Sequence, residues 1–202
     1  MKEELAARRS AFTTKEVILV GIMGGISSLL MLLELPGIAF LKIDFSDVPA
    51  TLIAMFYGPV NGMLVEFIKN LLKVLFGTKT AVIGEVANFL VGSAFVIPVG
   101  IVFKKIREGA EVTLKRMLSA VALGTICMTL TGVIANYFVL IPFYAQFMGG
   151  EQNIINFVAL TIPPVQTKLD VVLMAVTPFN AVKGIILAII TIPLYNLFRK
   201  KI

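Results

Sequence analysis

The 202-residue sequence contains no histidine, no tryptophan and a single cysteine, Cys127. Without imidazole there is no Ser-His or Cys-His pair, and one thiol can form neither an intrachain disulfide nor a cysteine metal cluster. Charge is also scarce, at 15% of residues against about 25% in soluble domains, which argues against a water-soluble globule. The patterns G-x-x-x-x-G-K-[ST], G-x-S-x-G and H-E-x-x-H do not occur. The chain therefore has no phosphate loop with which to hydrolyse ATP, no nucleophile elbow and no zinc-protease helix. An intramembrane enzyme would have to use Glu66 with Lys69, or Asp170, as acid and base. Nothing assembles these into a catalytic constellation, so no catalytic residue and no metal ligand is assigned.

Apolar sequence is plentiful, at 58%. It falls into six stretches, about 16–34, 48–57, 60–76, 81–104, 116–147 and 169–198. An apolar run of this kind crosses the hydrocarbon core as a helix when it reaches about 20 residues. The spacing predicts an all-α integral membrane protein, one domain over 1–202, with six transmembrane helices and a structured loop after the first. The first stretch lacks a small-residue cleavage site and stays in the mature chain. The second is short, opens with Ser46-Asp47-Val48-Pro49, which reads as a helix start capped by Ser46, and ends at Gly58-Pro59. Short, interrupted membrane helices often border ligand cavities. Residues 117–150 as one helix would reach about 50 Å, so this run either tilts strongly or breaks near Pro142. Residues 151–167 read as an outer loop, and Pro178 and Pro193 interrupt the last span.

Six spans place both termini on one face. Lys2, Arg8, Arg9, Lys15, Lys104, Lys105, Arg107, Lys115, Arg116, Arg199, Lys200 and Lys201 fall on that face, and the positive-inside rule makes it cytoplasmic. The net charge of +6 thus reports topology in a cell membrane, not nucleic-acid binding.

Polar side chains at membrane depth normally face the bundle interior or a cavity. Glu66, Lys69 and Asn70 can meet on one helical face, either as an internal ion pair or with an end snorkelling outward. Glu85 and Asp170 read as solvated carboxylates at the rim. Asn180 and Lys183 stand three apart behind Pro178 and present amide and ammonium donors beside an amide acceptor. Asn136 adds a second amide from another span. Interhelical hydrogen bonding explains this set, as does a ligand, and a buried lysine with no acid near it in the sequence favours the ligand. Gly21 and Gly25 form a G-x-x-x-G pair suited to close helix approach, inside this chain or against a partner.

The segments FLKIDFSDVPATLIAMFYGPVNG at 40–62, NYFVLIPFY at 136–144 and TPFNAVKG at 177–184 resemble the riboflavin-specific S components of energy-coupling factor (ECF) vitamin transporters, over essentially the whole chain. The resemblance implies a high-affinity capture subunit that binds riboflavin from outside as transported substrate, with no cofactor of its own. Its partners would be a transmembrane coupling protein and two cytoplasmic ATPases. It maps ring-edge contacts onto Asn136, Asn180 and Lys183, with apolar cover from Phe40, Leu41 and Phe138. It also implies a lid at 37–47, in which Lys42 and Asp44 contact the ribityl chain, and docking through Gly21 and Gly25, where the family commonly has alanines. The alternative ligand is flavin mononucleotide or another vitamin, with Lys42, Lys79 and Lys168 as phosphate donors.

Overall fold

The computed structural model describes residues 12–37, 41–78 and 80–200. Helix α1, Thr14–Leu32, starts at a capping box in which Thr13 Oγ1 accepts from the Glu16 amide and a Glu16 carboxylate oxygen accepts from the Thr13 amide. Two of the four orphan amides of a helix start are thereby accounted for. Strands β1 (Leu35–Pro36) and β2 (Lys42–Ile43) then pair antiparallel, Leu35 opposite Ile43. Helices α2 (Asp47–Tyr57) and α3 (Pro59–Gly77) meet at Gly58, whose φ of +109° is readily reached only by glycine, and Pro59 opens α3. Ser46 does not cap α2: its hydroxyl and amide both donate to Asp44 Oδ1 instead.

Helix α4 covers Ile83–Arg107. Helix α5, Leu114–Ala135, runs through a π segment, Asn136–Leu140, into α6, Ile141–Met148. The long apolar run is therefore one rod of 35 residues, Leu114–Met148, with no break at Pro142. A short helix α7, Glu151–Ala159, follows within the expected loop. Helix α8, Lys168–Asp170, continues through a second π segment, Val171–Val176, into α9, Thr177–Phe198. Each π segment lies just before a proline, Pro142 or Pro178. A proline ring crowds the carbonyl four residues back and offers it no amide. Local widening to i→i−5 bonding, as from the Ile141 amide to Asn136 O and from the Thr177 amide to Val172 O, lets both rods pass their prolines unbroken.

Among the described residues, four rods are long and apolar enough to cross a membrane: Thr14–Leu32, Ile83–Arg107, Leu114–Met148 and Lys168–Phe198. Helix α2 has only 11 residues, and α3 carries Glu66, Lys69 and Lys73.

The helices alternate in direction. Near one end, Lys15 lies 5.9 Å from the Tyr57 ring, Asn61 donates to Glu16, and Phe103 meets Tyr195 edge-on at 4.8 Å. Arg107 Nη1 donates there to the carbonyls of Ala54 and Met55, at 3.1 and 2.8 Å. It gives Met55 O a partner near the helix end, adds a second donor to Ala54 O, which already accepts from the Gly58 amide, and places positive charge at the negative end of that helix. An apolar core including Met55, Phe95, Val99, Phe103 and Leu187 fills this half. A second core, including Ile141, Ile155, Val158, Val172 and Val176, fills the opposite end.

Candidate ligand-binding site

Helix α2 rises only about 16 Å at 1.5 Å per residue, so its N-terminus lies inside the bundle and not at its edge. That leaves room above it, and a cavity of about 300 Å³ occupies the space. Lys183, Asn180 and Phe179 of α9, and Gly132, Asn136 and Leu140 of the α5–π rod, line one side. Glu85, Ala87, Asn88 and Val91 of α4 line the other. Leu41, Lys42 and Asp44, in and beside strand β2, also line it, and Met31, Glu34, Lys73 and Thr80 complete the rim. Such a volume is at the lower end for pockets that hold drug-sized ligands.

Local geometry brings the two asparagines together. Asn136 and Asn180 each donate an amide proton to the carbonyl four residues back on their own helix, at 2.8 and 2.9 Å. That bond fixes each side chain while leaving a second N–H and a carbonyl oxygen unused by it. Gly132 provides the clearance: a Cβ there would lie 2.7 Å from Asn180 Nδ2. Asn88 Oδ1 is buried with no protein hydrogen-bond partner. The wall thus offers amide donors, amide acceptors and an ammonium among apolar side chains, which suits an uncharged heteroaromatic ligand whose edge alternates carbonyls with N–H.

Below the cavity lies a buried charge network. Asp47, the first residue of α2, has Oδ1 2.5 Å from Lys69 Nζ and Oδ2 2.7 Å from Lys183 Nζ. Lys69 Nζ also stands 2.5 Å from Glu66 Oε2, with both side chains fully buried. Gly92 of α4 leaves space for that carboxylate, since a Cβ at this position would sit 2.5 Å from Glu66 Oε2. If all four groups are ionised the network is neutral, which is the condition for charges to persist at such depth.

Of the residues expected to bind ligand, Asn136, Asn180, Lys183, Leu41, Lys42 and Asp44 border this one cavity. Phe138 does not. It is 69% exposed on the outer face of the π segment, edge-on to Tyr137, because a side chain there turns away from the one that Asn136 presents. Phe40 lies outside the described residues, as do Lys79, Lys2, Arg8, Arg9 and Lys201. The expectation of a lysine without an acid is corrected by Asp47, which is 136 positions from Lys183 in sequence. Glu85 is not a solvated rim group: it is buried and accepts from Thr78 and Thr80 hydroxyls at 2.8 and 2.5 Å. Asp170 is partly exposed and closes a capping box with Thr167. Asn70 donates to the Glu66 backbone carbonyl and not to its carboxylate.

Lys42 pairs with Glu34, and Lys73 lies 3.7 Å from the same carboxylate. Lys168 pairs with Glu151 at 2.9 Å and sits 4.7 Å from the Tyr137 ring centre. Asp47, Glu85, Asn88 and Phe179 are the additions that sequence reasoning did not assign to a site. Asp47 had a signal, a carboxylate opening a helix too short to reach both faces. In α1, a Cβ at Gly21 or Gly25 would meet nothing within 4 Å, while one at Gly24 would press on Ile68 at 2.5 Å. Intramolecular packing therefore uses Gly24, and the Gly21–Gly25 pair is left open.

Comparison with known proteins gives this arrangement a family. Residues 15–195 match the model of the ECF transporter substrate-specific component. The chain belongs to this family. The riboflavin transporter FmnP of Bacillus subtilis (strain 168) is 35% identical to this substrate-specific component over 181 residues, 87% of each chain. The riboflavin transporter RibU of Staphylococcus aureus (strain TCH60) is 33% identical over 187 residues, 90% of this chain and 89% of its own. A solved structure described as that of the S component of a bacterial ECF transporter superposes with a TM-score of 0.70. It is 30% identical and is matched over 92% of this chain and 96% of its own. The family is one of transport proteins, and among the described residues no cluster of three or more Cys, Asp or Glu side chains suits a metal ion.

Proposed function

We propose that this substrate-specific component binds riboflavin at high affinity as the capture subunit of an ATP-driven ECF uptake transporter. The observation that carries the reading is the convergence of Asn136, Asn180 and Lys183 on one largely apolar cavity. The relatives named as riboflavin transporters support it independently. In this reading the pyrimidine edge of the isoalloxazine ring pairs with the two amides and the ammonium. Leaving any of those groups unpaired in an apolar site costs about 1–3 kcal/mol. Leu41, Leu140 and Phe179 cover the ring, and Lys42 and Asp44 stand where the ribityl chain leaves the pocket. The chain is a single six-span domain of the cell membrane with both termini cytoplasmic, α2 and α3 serving as its second and third spans. The cavity then opens outward. With no phosphate loop of its own, the chain depends on a coupling protein, docked along Gly21 and Gly25, and on two ATPases.

Flavin mononucleotide is the weaker ligand here, because Lys42 and Lys168 are already engaged by Glu34 and Glu151. The test is flavin-fluorescence titration of purified variants. Asn180→Ala and Lys183→Ala are expected to weaken riboflavin binding about tenfold or more, the equivalent of about 1.4 kcal/mol, without loss of fold. Phe138→Ala, on the outer face, is expected to leave it unchanged. Unaltered affinity in folded Asn180→Ala and Lys183→Ala would remove these residues from the site.

A further inference from the structure

The buried network joins three helices, yet only one of its members reaches the cavity. Lys183 lines the pocket, whereas Asp47, Glu66 and Lys69 lie beneath it and do not. Lys183 sits on α9, a long side chain with several rotamers available to it. Its ammonium is 2.7 Å from Asp47 Oδ2, while the other Asp47 oxygen accepts from Lys69 at 2.5 Å. Asp47 is in turn fixed at the start of α2, on a backbone whose opposite end is held by Arg107.

We propose that Asp47 is the positioning residue for Lys183: from below the pocket floor it holds the ammonium at the height where the ligand meets it. It does not touch the ligand. This rests on the riboflavin reading of the cavity and names a residue on which the recognition depends. Two physical consequences follow. The cost of ordering the lysine side chain is met in the empty protein, so less is lost when the ligand arrives. Lys183 also keeps its charge at depth because a carboxylate faces it, and Asp47 has a second cation in Lys69 with which to share its own.

The test is a double-mutant cycle on the full-length protein in detergent, with riboflavin as the probe and thermal unfolding as the control for fold. Asp47→Asn keeps the size of the side chain and removes its charge. If Asp47 acts through Lys183, Asp47→Asn alone weakens riboflavin binding about tenfold, and the flavin absorption band of its saturated complex moves as it does in Lys183→Met. Asp47→Asn added to Lys183→Met then costs less than about threefold more. The double variant is also charge-balanced, one anion and one cation having been removed together. Should Asp47→Asn alone fail to fold, recovery of a folded protein in the double variant, with the affinity of Lys183→Met, supports the same coupling.

Losses that multiply in the double variant would overturn the proposal, since Asp47 would then act independently of Lys183. Wild-type affinity in folded Asp47→Asn would overturn it as well. Failure of the folded wild-type protein to bind riboflavin is a separate outcome: it removes the riboflavin reading, and the positioning role with it.

Discussion

At the scale of single residues, the site depends as much on what is small as on what is polar. Gly132 lies opposite Asn180 where a Cβ would be 2.7 Å from its amide nitrogen, closer than van der Waals contact allows. Gly132→Val should therefore push Asn180 out of register and weaken riboflavin binding about tenfold or more. Overpacking of this kind typically costs 1–3 kcal/mol, so thermal unfolding of the variant should fall by only a few degrees. Retained affinity would mean that Asn180 has no fixed place in the site. The residue types at Asn136, Asn180 and Lys183 were legible in the sequence because polar groups stand out in apolar spans. Asp47 had a weaker signal, its place at the start of a short helix, which is masked because it sits among Asp44, Ser46 and Pro49 and looks like turn chemistry. Only the fold brings it against Lys69 and Lys183. Phe138 misled for the opposite reason: nearness to Asn136 in sequence is not nearness in space on a helix, where successive side chains point about 100° apart and two steps carry a side chain to the other face.

At the scale of elements, the start and end of α2 and the lengths of the apolar rods followed from glycine, proline and charge positions. The passage of the rods through Pro142 and Pro178 did not. A proline within an apolar run permits a break, a kink or a π segment, and which of these occurs depends on packing against neighbouring helices. The β1–β2 segment is the element most open to test. Lys42 on β2 pairs with Glu34, which also stands 3.7 Å from Lys73 of α3. Glu34 thus ties the segment to the bundle at the rim of the cavity. Exposed ion pairs are worth about 0–1 kcal/mol, so Glu34→Gln should leave the melting temperature nearly unchanged. Its effect should be kinetic, a several-fold faster release of bound riboflavin in stopped-flow fluorescence. A dissociation rate equal to that of the wild type would show that this tie does not govern exit.

At the scale of the whole molecule, the sequence reading reached the family through short segments running from β2 into α2, through the first π segment and into α9, each of which contributes residues to one cavity. The apolar stretches at 48–57 and 60–76 are the weakest of the six read from the sequence: α2 has only 11 residues and α3 carries charges that pair inside the bundle, so neither is among the four described rods long and apolar enough to cross a membrane. The open Gly21–Gly25 face of α1 belongs to this scale, since the partner proposed to dock on it lies outside the chain. A Cβ at Gly25 meets nothing, so Gly25→Leu should preserve folding and riboflavin affinity while abolishing co-purification with the coupling protein. Unchanged co-purification would place docking elsewhere. The central claim, that this chain is a riboflavin-capture subunit, is tested most directly by equilibrium titration of the purified, ligand-stripped wild-type protein with riboflavin, followed by quenching of flavin fluorescence. The account requires saturable one-to-one quenching at submicromolar riboflavin, with flavin mononucleotide binding more weakly. No quenching by protein that is demonstrably folded would contradict it.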